Sequence, residues 1–274
     1  MRPSSDGRAT MNKQDKVSCP KDYLQYSLYR DVLAQKRLRL IVEQIQIFSH
    51  KTQKSNLKIL DLGCGIGGIT FPLSYLGHKV TGVDIDPQSI DNCTDRNTFP
   101  NATFFTADIA NLQLNERFDV IVCSEVLEHS SYPEQLLNTI NKHLEPHGIG
   151  IITIPHGYSF YEIMFSRLFQ KVGITVLFHK LPPKMYRALT GSPSPYHSLN
   201  IFCGHVQFFT FKRFAKLLTN CEFRIVNIKN QSLGLFLDWN WLSLLRKAEC
   251  KLADYVPNSI AGGWVVVVSK KEQL

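Results

Sequence analysis

Short runs of aliphatic residues alternate with helix-like segments through the middle of this chain, and this rhythm constrains the fold more than any other feature. Five runs are predicted strands, at 57–62, 78–85, 102–107, 118–124 and 148–155. Strands that lie parallel need long right-handed connections, and the intervening segments have that character. The sequence therefore predicts an α/β fold with a doubly wound, mostly parallel sheet.

The two ends of the chain add elements to this core. A helix and a sixth strand are predicted within 205–230, and after another helix a seventh strand is predicted in GGWVVVVSKK. Apolar residues at helical spacing predict one or two helices before the first strand. We therefore expect residues 21–274 to form one domain.

The first twenty residues lack the apolar region of a secretory signal, and they are expected to form a disordered tail. Translation from Met1 and translation from Met11 both stay open.

No apolar run approaches the ~18 to 20 residues of a membrane span. The seven cysteines are odd in number and scattered, without a C-x-x-C pair, so reduced thiols and a cytoplasmic location are expected.

A glycine pattern follows the first predicted strand. The segment ILDLGCGIGG, residues 59–68, contains G-x-G-x-x-G, which is also found in nicotinamide and flavin dinucleotide sites. In an open parallel sheet the ligand lies across the carboxyl ends of the strands. Strands one, two and three have acids there, namely Asp61, Asp84 and Asp108.

Asp61 distinguishes between the cofactors that such a loop could hold. Its carboxylate would face the pyrophosphate of a dinucleotide, where like charges in a partly dry cleft repel strongly. S-adenosylmethionine has no phosphate and carries a sulfonium and an ammonium group, so the same carboxylate attracts it. The extra glycine Gly67 allows the backbone to approach a compact amino-acid moiety. We therefore expect S-adenosylmethionine rather than NAD.

The other two acids have expected roles toward this cofactor. Asp84 would accept hydrogen bonds from the ribose hydroxyls, and Asp108 from the adenine amino group. Taken singly, each feature has a simpler explanation as a tight turn, a helix cap or a turn cap. Three acids at successive strand ends favour the cofactor. The predicted cofactor site comprises Asp61, Gly63, Gly65, Gly67, Asp84, Ile85, Asp108, Ile109 and Ser124.

Several motifs together resemble the class I S-adenosylmethionine-dependent methyltransferases. LDLGCGIGG, VTGVDIDPQSI, ADI, FDVIVCSEVLEH and LEPHGIGIITIP occur in the order and spacing of that family. The resemblance covers about residues 57–155 strongly and the later part of the chain more loosely. It implies a Rossmann-like methyltransferase fold, a seven-stranded sheet whose last strand is antiparallel, and methyl transfer rather than hydride transfer.

Methyl transfer needs a positioned nucleophile, and it needs a base only if the nucleophile must lose a proton. His129 and His156 are predicted as candidates for that base. If SEVLEHS is helical, Glu125, Glu128 and His129 share one face. With His205 as a fourth ligand, they are predicted to form a site for Mg²⁺ or another divalent cation.

Ubiquinone-biosynthesis O-methyltransferases and small-RNA 2′-O-methyltransferases contain a close variant of EVLEH with a later histidine, and this chain is similar to both. In those families the matching residues hold a divalent cation near the acceptor hydroxyls. Metal-free relatives also contain EVLEH, so a structural role for these residues stays open. The expected function is O-methylation of a small-molecule hydroxyl. RNA 2′-O-methylation, glycan or lipid methylation and noncatalytic cofactor binding are the alternatives.

The segment 156–203 is predicted to be a variable acceptor lid inserted after the fifth strand. It carries five basic residues against the single acid Glu162, and it is rich in aromatic residues. This composition suits an apolar or anionic small molecule, and the amphipathic SFYEIMFSRLFQK suggests peripheral membrane contact. A solvated lid that completes the core is the alternative. The net charge of +8 allows anionic partners, but nucleic acid is not expected, because no basic stripe lies outside this segment.

Overall fold

The computed structural model describes residues 21–29, 31–159, 205–235 and 243–271. The predicted tail at 1–20 lies outside these ranges, and so does the predicted lid from 160 onward. Among the described residues, no helix has both the length and the hydropathy that crossing a membrane requires.

The described strands are β1 (Lys58–Leu62), β2 (Lys79–Asp84), β3 (Ala102–Thr106), β4 (Phe118–Ser124), β5 (Leu144–Pro155), β6 (Phe223–Ser232) and β7 (Gly263–Lys270). They form one seven-stranded sheet with the order β3-β2-β1-β4-β5-β7-β6. Strands β1 to β5 pair in parallel, and β7 is antiparallel to both of its neighbours. The predicted fold class is confirmed, including the antiparallel last strand.

Helices cover both faces of the sheet. They are α1 (Val32–Thr52), α2 (Thr70–Tyr75), α3 (Pro87–Arg96), α4 (Pro133–His143), α5 (Phe211–Asn220) and α6 (Ser243–Leu252), with short 3₁₀ helices at Lys21–Tyr26, Leu127–His129 and Ala253–Tyr255. The sequence prediction for β5 is wrong at its start. Leu144 is fully buried and already pairs with Phe118, so the strand begins directly after α4 rather than at 148.

Successive strand residues enter two separate cores. Ile59 and Val120 pack with α1 and α2 on one face, whereas Leu60 and Ile121 pack with α4 and α5 on the other. Burial on both faces explains why the parallel strands are continuous apolar runs rather than alternating ones. It also leaves the carboxyl ends of the strands as the place where polar side chains meet.

Candidate functional site

The loop after β1 is held open by a carboxylate from β2. Gly63, Gly65 and Gly67 all have positive φ, and the Gly65 N–H donates to Asp84 Oδ2 at 2.7 Å. A Cβ added at Gly65 would meet no atom of the described residues within 4 Å, so this part of the loop borders open space. Asp84 Oδ1 accepts from the Asp86 N–H at 3.0 Å.

A carboxylate has about four lone-pair positions, so Asp84 can still accept from ribose hydroxyls. The helix-cap alternative for Asp84 is wrong, because Asp86 is the residue that caps α3. The Asp86 side chain accepts from the N–H groups of Gln88 and Ser89. The Asp84 side chain therefore binds the glycine loop and does not cap α3.

Asp61 lies at the end of β1 and is buried. Its Oδ2 accepts from the Thr70 hydroxyl at 2.7 Å. The pKa of Asp61 is raised to about 7, chiefly by burial and also by the nearby Asp84 charge, while the hydrogen bonds from Thr70 oppose the shift. A cationic ligand at this position would favour the ionised carboxylate.

The remaining predicted cofactor residues follow β2 and β3 or end β4. Ile85 is 67% exposed, whereas Ile109 packs against the core. Asp108 is exposed and caps its own turn, accepting from the Ala110 N–H at 3.0 Å and the Asn111 side-chain amide at 2.7 Å. Ser124 Oγ lies 2.9 Å from the Thr153 hydroxyl. Their roles toward a cofactor stay predictions.

The helical interpretation of SEVLEHS is wrong. Only Leu127–His129 forms a short 3₁₀ helix, and Glu125 has a left-handed φ of 57°. The Glu125 N–H donates to the carbonyl and hydroxyl oxygens of Thr153 at 3.2 and 3.1 Å. These bonds hold the turn after β4, so Glu125 does not share a helical face with Glu128.

A group of possible metal ligands does form among the described residues, without Glu125. Ligand atoms of Glu128, His129 and His205 lie within 4.8 Å of one another. The Glu128 carbonyl accepts from the N–H groups of Val206 and Gln207 at 2.9 and 3.0 Å. These two bonds bring His205 to His129, and the ring centroids lie 4.9 Å apart. We call Glu128, His129 and His205 the cation group.

Arg37 is the site residue that the sequence analysis missed. It lies on α1, far from the strand ends in the sequence, and its Nη1 lies 3.0 Å from Glu125 Oε2. Its guanidinium also lies over the Tyr29 ring, 5.9 Å from the centroid. The sequence offers only the position of Arg37 on an amphipathic helix. That position does not indicate a contact with Glu125, because a basic residue there usually faces solvent.

His156 directly follows β5 and is not one of the residues of the cation group. Its N–H donates to the Gly262 carbonyl at 2.9 Å. Its Nδ1 accepts from the Tyr158 N–H at 3.3 Å, and its ring packs edge-on against Trp264. The two predicted bases therefore occupy different surroundings, and a catalytic role for either stays a prediction.

Comparisons with known proteins place this geometry in a family. A family model described as a methyltransferase domain matches residues 32–228. The ubiquinone biosynthesis O-methyltransferase of Rickettsia canadensis is 35% identical over 119 residues, which is 43% of this chain and 50% of that protein. The corresponding Rickettsia felis protein is 34% identical, over 43% of this chain and 48% of its own length. The chain thus matches about half the length of these curated relatives.

Solved structures show the same fold at low sequence identity. A TehB-like SAM-dependent methyltransferase from Corynebacterium glutamicum has a TM-score of 0.50 at 21% identity, covering 88% of this chain and 89% of its own. Magnesium protoporphyrin IX methyltransferase from Synechocystis, with bound SAH, has a TM-score of 0.54 at 14% identity, covering 87% and 85%. The chain belongs to the methyltransferase-domain family and has the fold of the class I S-adenosylmethionine-dependent enzymes.

Proposed function

We propose that this chain transfers the methyl group of S-adenosylmethionine to a hydroxyl of a small-molecule acceptor. One observation carries the proposal. At the carboxyl edge of the same sheet, the open glycine loop follows β1 and is held by Asp84 of β2, and two members of the cation group, Glu128 and His129, follow β4. A cofactor loop and a group able to hold an oxygen nucleophile are the two parts that O-methylation needs.

The cofactor half of the site fits S-adenosylmethionine. When bound, this cofactor supplies an electrophilic methyl group on a sulfonium. Asp84 would hold the ribose hydroxyls, while Asp61 would face the cationic part. Arg37 Nε is buried and has no hydrogen-bond partner among the described residues, so Arg37 offers a donor to an anionic group such as a carboxylate.

The chemistry of the cation group fits a divalent ion. Glu128, His129 and His205 would hold it, with one carboxylate and two imidazoles as ligands. Such a set suits Mn²⁺, Fe²⁺ or Zn²⁺ better than Mg²⁺, because imidazole is a softer ligand than oxygen. The ion would act as a Lewis acid that makes an acceptor hydroxyl easier to deprotonate. His129 or His156 as a general base is the competing mechanism.

The acceptor class rests on the relatives and on the site. The curated relatives are named O-methyltransferases of ubiquinone biosynthesis, which supports a hydroxylated, apolar small molecule as the acceptor here. A hydroxyl is also the nucleophile that gains most from a cation group.

The buried free thiols of Cys64, Cys93 and Cys123 support the cytoplasm as the location.

Two measurements test this function. In calorimetry, S-adenosylmethionine and its demethylated product should bind and NAD should not. In cell extract, the purified chain should move label from methyl-labelled S-adenosylmethionine onto a small molecule, and the labelled product names the acceptor. Binding of NAD, or label found only in RNA, would contradict the proposal.

A further inference from the structure

Glu125 is held by three side chains that lie outside the cation group. Its Oε2 lies 3.0 Å from Arg37 Nη1. Its Oε1 accepts from the Thr153 hydroxyl at 2.8 Å and from Gln231 Nε2 at 3.5 Å. Because the Glu125 N–H also donates to Thr153, both the backbone and the carboxylate of this residue are fixed.

The ion pair between Arg37 and Glu125 is poorly screened by solvent. Their side chains are 13% and 25% exposed, so this pair is much less weakened by salt and water than a surface pair. A charge that is this shielded keeps its partner unless another cation takes its place. Glu125 therefore has a competing positive partner within the protein itself.

Arg37 is close enough to both glutamates for their charges to matter. Burial alone would lower the pKa of the Arg37 guanidinium, but Glu125, Tyr29, Asp31 and Glu128 raise it above its usual value. The guanidinium therefore lies in the combined field of Glu125 and Glu128. Only Glu128 of these two belongs to the cation group.

We propose that Arg37 is a positioning residue that determines which cation the site takes, because it keeps Glu125 out of the coordination shell. The inference rests on the proposed cation group. With Glu125 held by Arg37, the ligands are one carboxylate and two imidazoles, which favour Mn²⁺, Fe²⁺ or Zn²⁺. With Glu125 released, a second carboxylate would strengthen binding and shift the preference toward harder ions such as Mg²⁺.

Binding of Mn²⁺ to the purified full chain, followed by the electron paramagnetic resonance signal of the free ion, tests this without turnover. The proteins are wild type, Arg37→Met, Glu125→Gln and the double variant. We expect Arg37→Met to bind Mn²⁺ about tenfold more tightly, as neighbours of metal ligands change affinity tenfold or more. Glu125→Gln should stay within about threefold of wild type, and the double variant should lose most of the gain.

Further variants separate the role of Arg37 from its charge and from folding. Arg39→Met removes the same charge from an exposed position of α1 and should bind Mn²⁺ like wild type. Arg37→Lys keeps the charge and should also resemble wild type. Added Mg²⁺ should displace Mn²⁺ more readily from Arg37→Met than from wild type. Arg37→Gln replaces Arg37→Met in the cycle if the latter does not fold.

Two results would overturn the inference alone. One is equal tightening by Arg37→Met with and without Glu125, which would mean that Arg37 acts only through its charge. The other is tenfold weakening by Glu125→Gln in the wild-type background, which would make Glu125 a ligand despite Arg37. A Glu128→Gln variant that binds Mn²⁺ as wild type does would overturn the cation group itself, and the inference with it.

Discussion

The carboxyl edge of the sheet has two halves that are built differently. In the proposed cofactor half, Asp61 and Asp84 lie near the carboxyl ends of β1 and β2, the glycines follow β1 directly, and Asp84 accepts from two backbone N–H groups. In the proposed acceptor half, beyond β4, the candidate groups come from α1, from a 3₁₀ helix and from the segment before α5. A parallel sheet thus fixes one half by itself, whereas the other half depends on contacts between distant segments.

Removing the cation should give the largest effect and should affect only the acceptor half. With excess chelator, transfer of label from S-adenosylmethionine should fall about 10²- to 10³-fold, because a Lewis acid supplies several kcal/mol to such a step. Added Mn²⁺ should restore transfer, while cofactor affinity by calorimetry stays unchanged.

Full transfer of label in the presence of excess chelator would show that the reaction does not need a metal ion. If a sigmoid or bell-shaped pH profile is then lost in His129→Ala or His156→Ala, that histidine is the base, worth about 10²- to 10⁴-fold. If cofactor affinity falls together with transfer, the two halves are not independent.

Asp84→Ala should weaken binding of S-adenosylmethionine by about 1.5 to 3 kcal/mol, because a charged acceptor is lost. The glycine loop would also lose the bond from the Gly65 N–H to Asp84. Calorimetry measures the change. Unaltered affinity in this variant would contradict the proposed cofactor site.

Asp86→Ala is the matched control for Asp84→Ala. It removes a carboxylate two residues away that caps α3, so it should lower the free energy of unfolding by about 1 kcal/mol. Cofactor affinity should stay at the wild-type value. Equal losses of affinity in the two variants would mean that only the negative charge matters.

Binding of S-adenosylmethionine should depend on the ionisation of Asp61. Burial raises the pKa of Asp61 to about 7 from an ordinary value of 3.8. The folded ligand-free protein therefore binds this proton more tightly than the unfolded chain, so stability falls as the pH rises from about 4 to 7. Cofactor affinity should increase up to about tenfold between pH 6 and pH 8, because the cationic ligand prefers the ionised carboxylate.

Asp61→Asn is the control for this pH dependence. Its side chain keeps nearly the same size and cannot ionise. Chemical denaturation at several pH values should show a flatter stability profile, and calorimetry should show weaker binding with less dependence on pH. A wild-type profile in Asp61→Asn would assign the proton to another group.

Two glycines allow the smallest effect to be measured cleanly. Gly65 and Gly77 both have positive φ, and at neither would an added Cβ meet any atom of the described residues within 4 Å. Alanine at either position should therefore cost about 1 to 2 kcal/mol of stability from backbone strain alone. Only Gly65→Ala should also weaken cofactor binding, by about 1 kcal/mol, because its methyl group would enter the space beside the loop. Equal affinities in the two variants would mean that the cofactor does not approach Gly65.

The fold and the position of the acids beside the glycine loop could be predicted well from the sequence. The alternation of strands and helices indicated the parallel core, and the acids at the carboxyl ends of β1 and β2 lie at one edge because parallel strands end together. The predicted start of β5 was wrong, because Leu144 is buried by its pairing with Phe118, a contact between distant segments that the local pattern does not indicate. The helical interpretation of SEVLEHS was wrong because Glu125 adopts a left-handed conformation after β4.

The sequence by itself determined the succession of strands and helices, the glycine loop and the acids beside it. Each of these depends on residues that are close together in the chain. Only the tertiary structure decided the composition of the cation group. His205 lies beside Glu128 and His129 because the residues that follow it donate backbone hydrogen bonds to the Glu128 carbonyl. Arg37 of α1 pairs with Glu125, which is not part of the group. Which residues come together depends on burial and charge between distant segments, and the local spacing of residues does not indicate it.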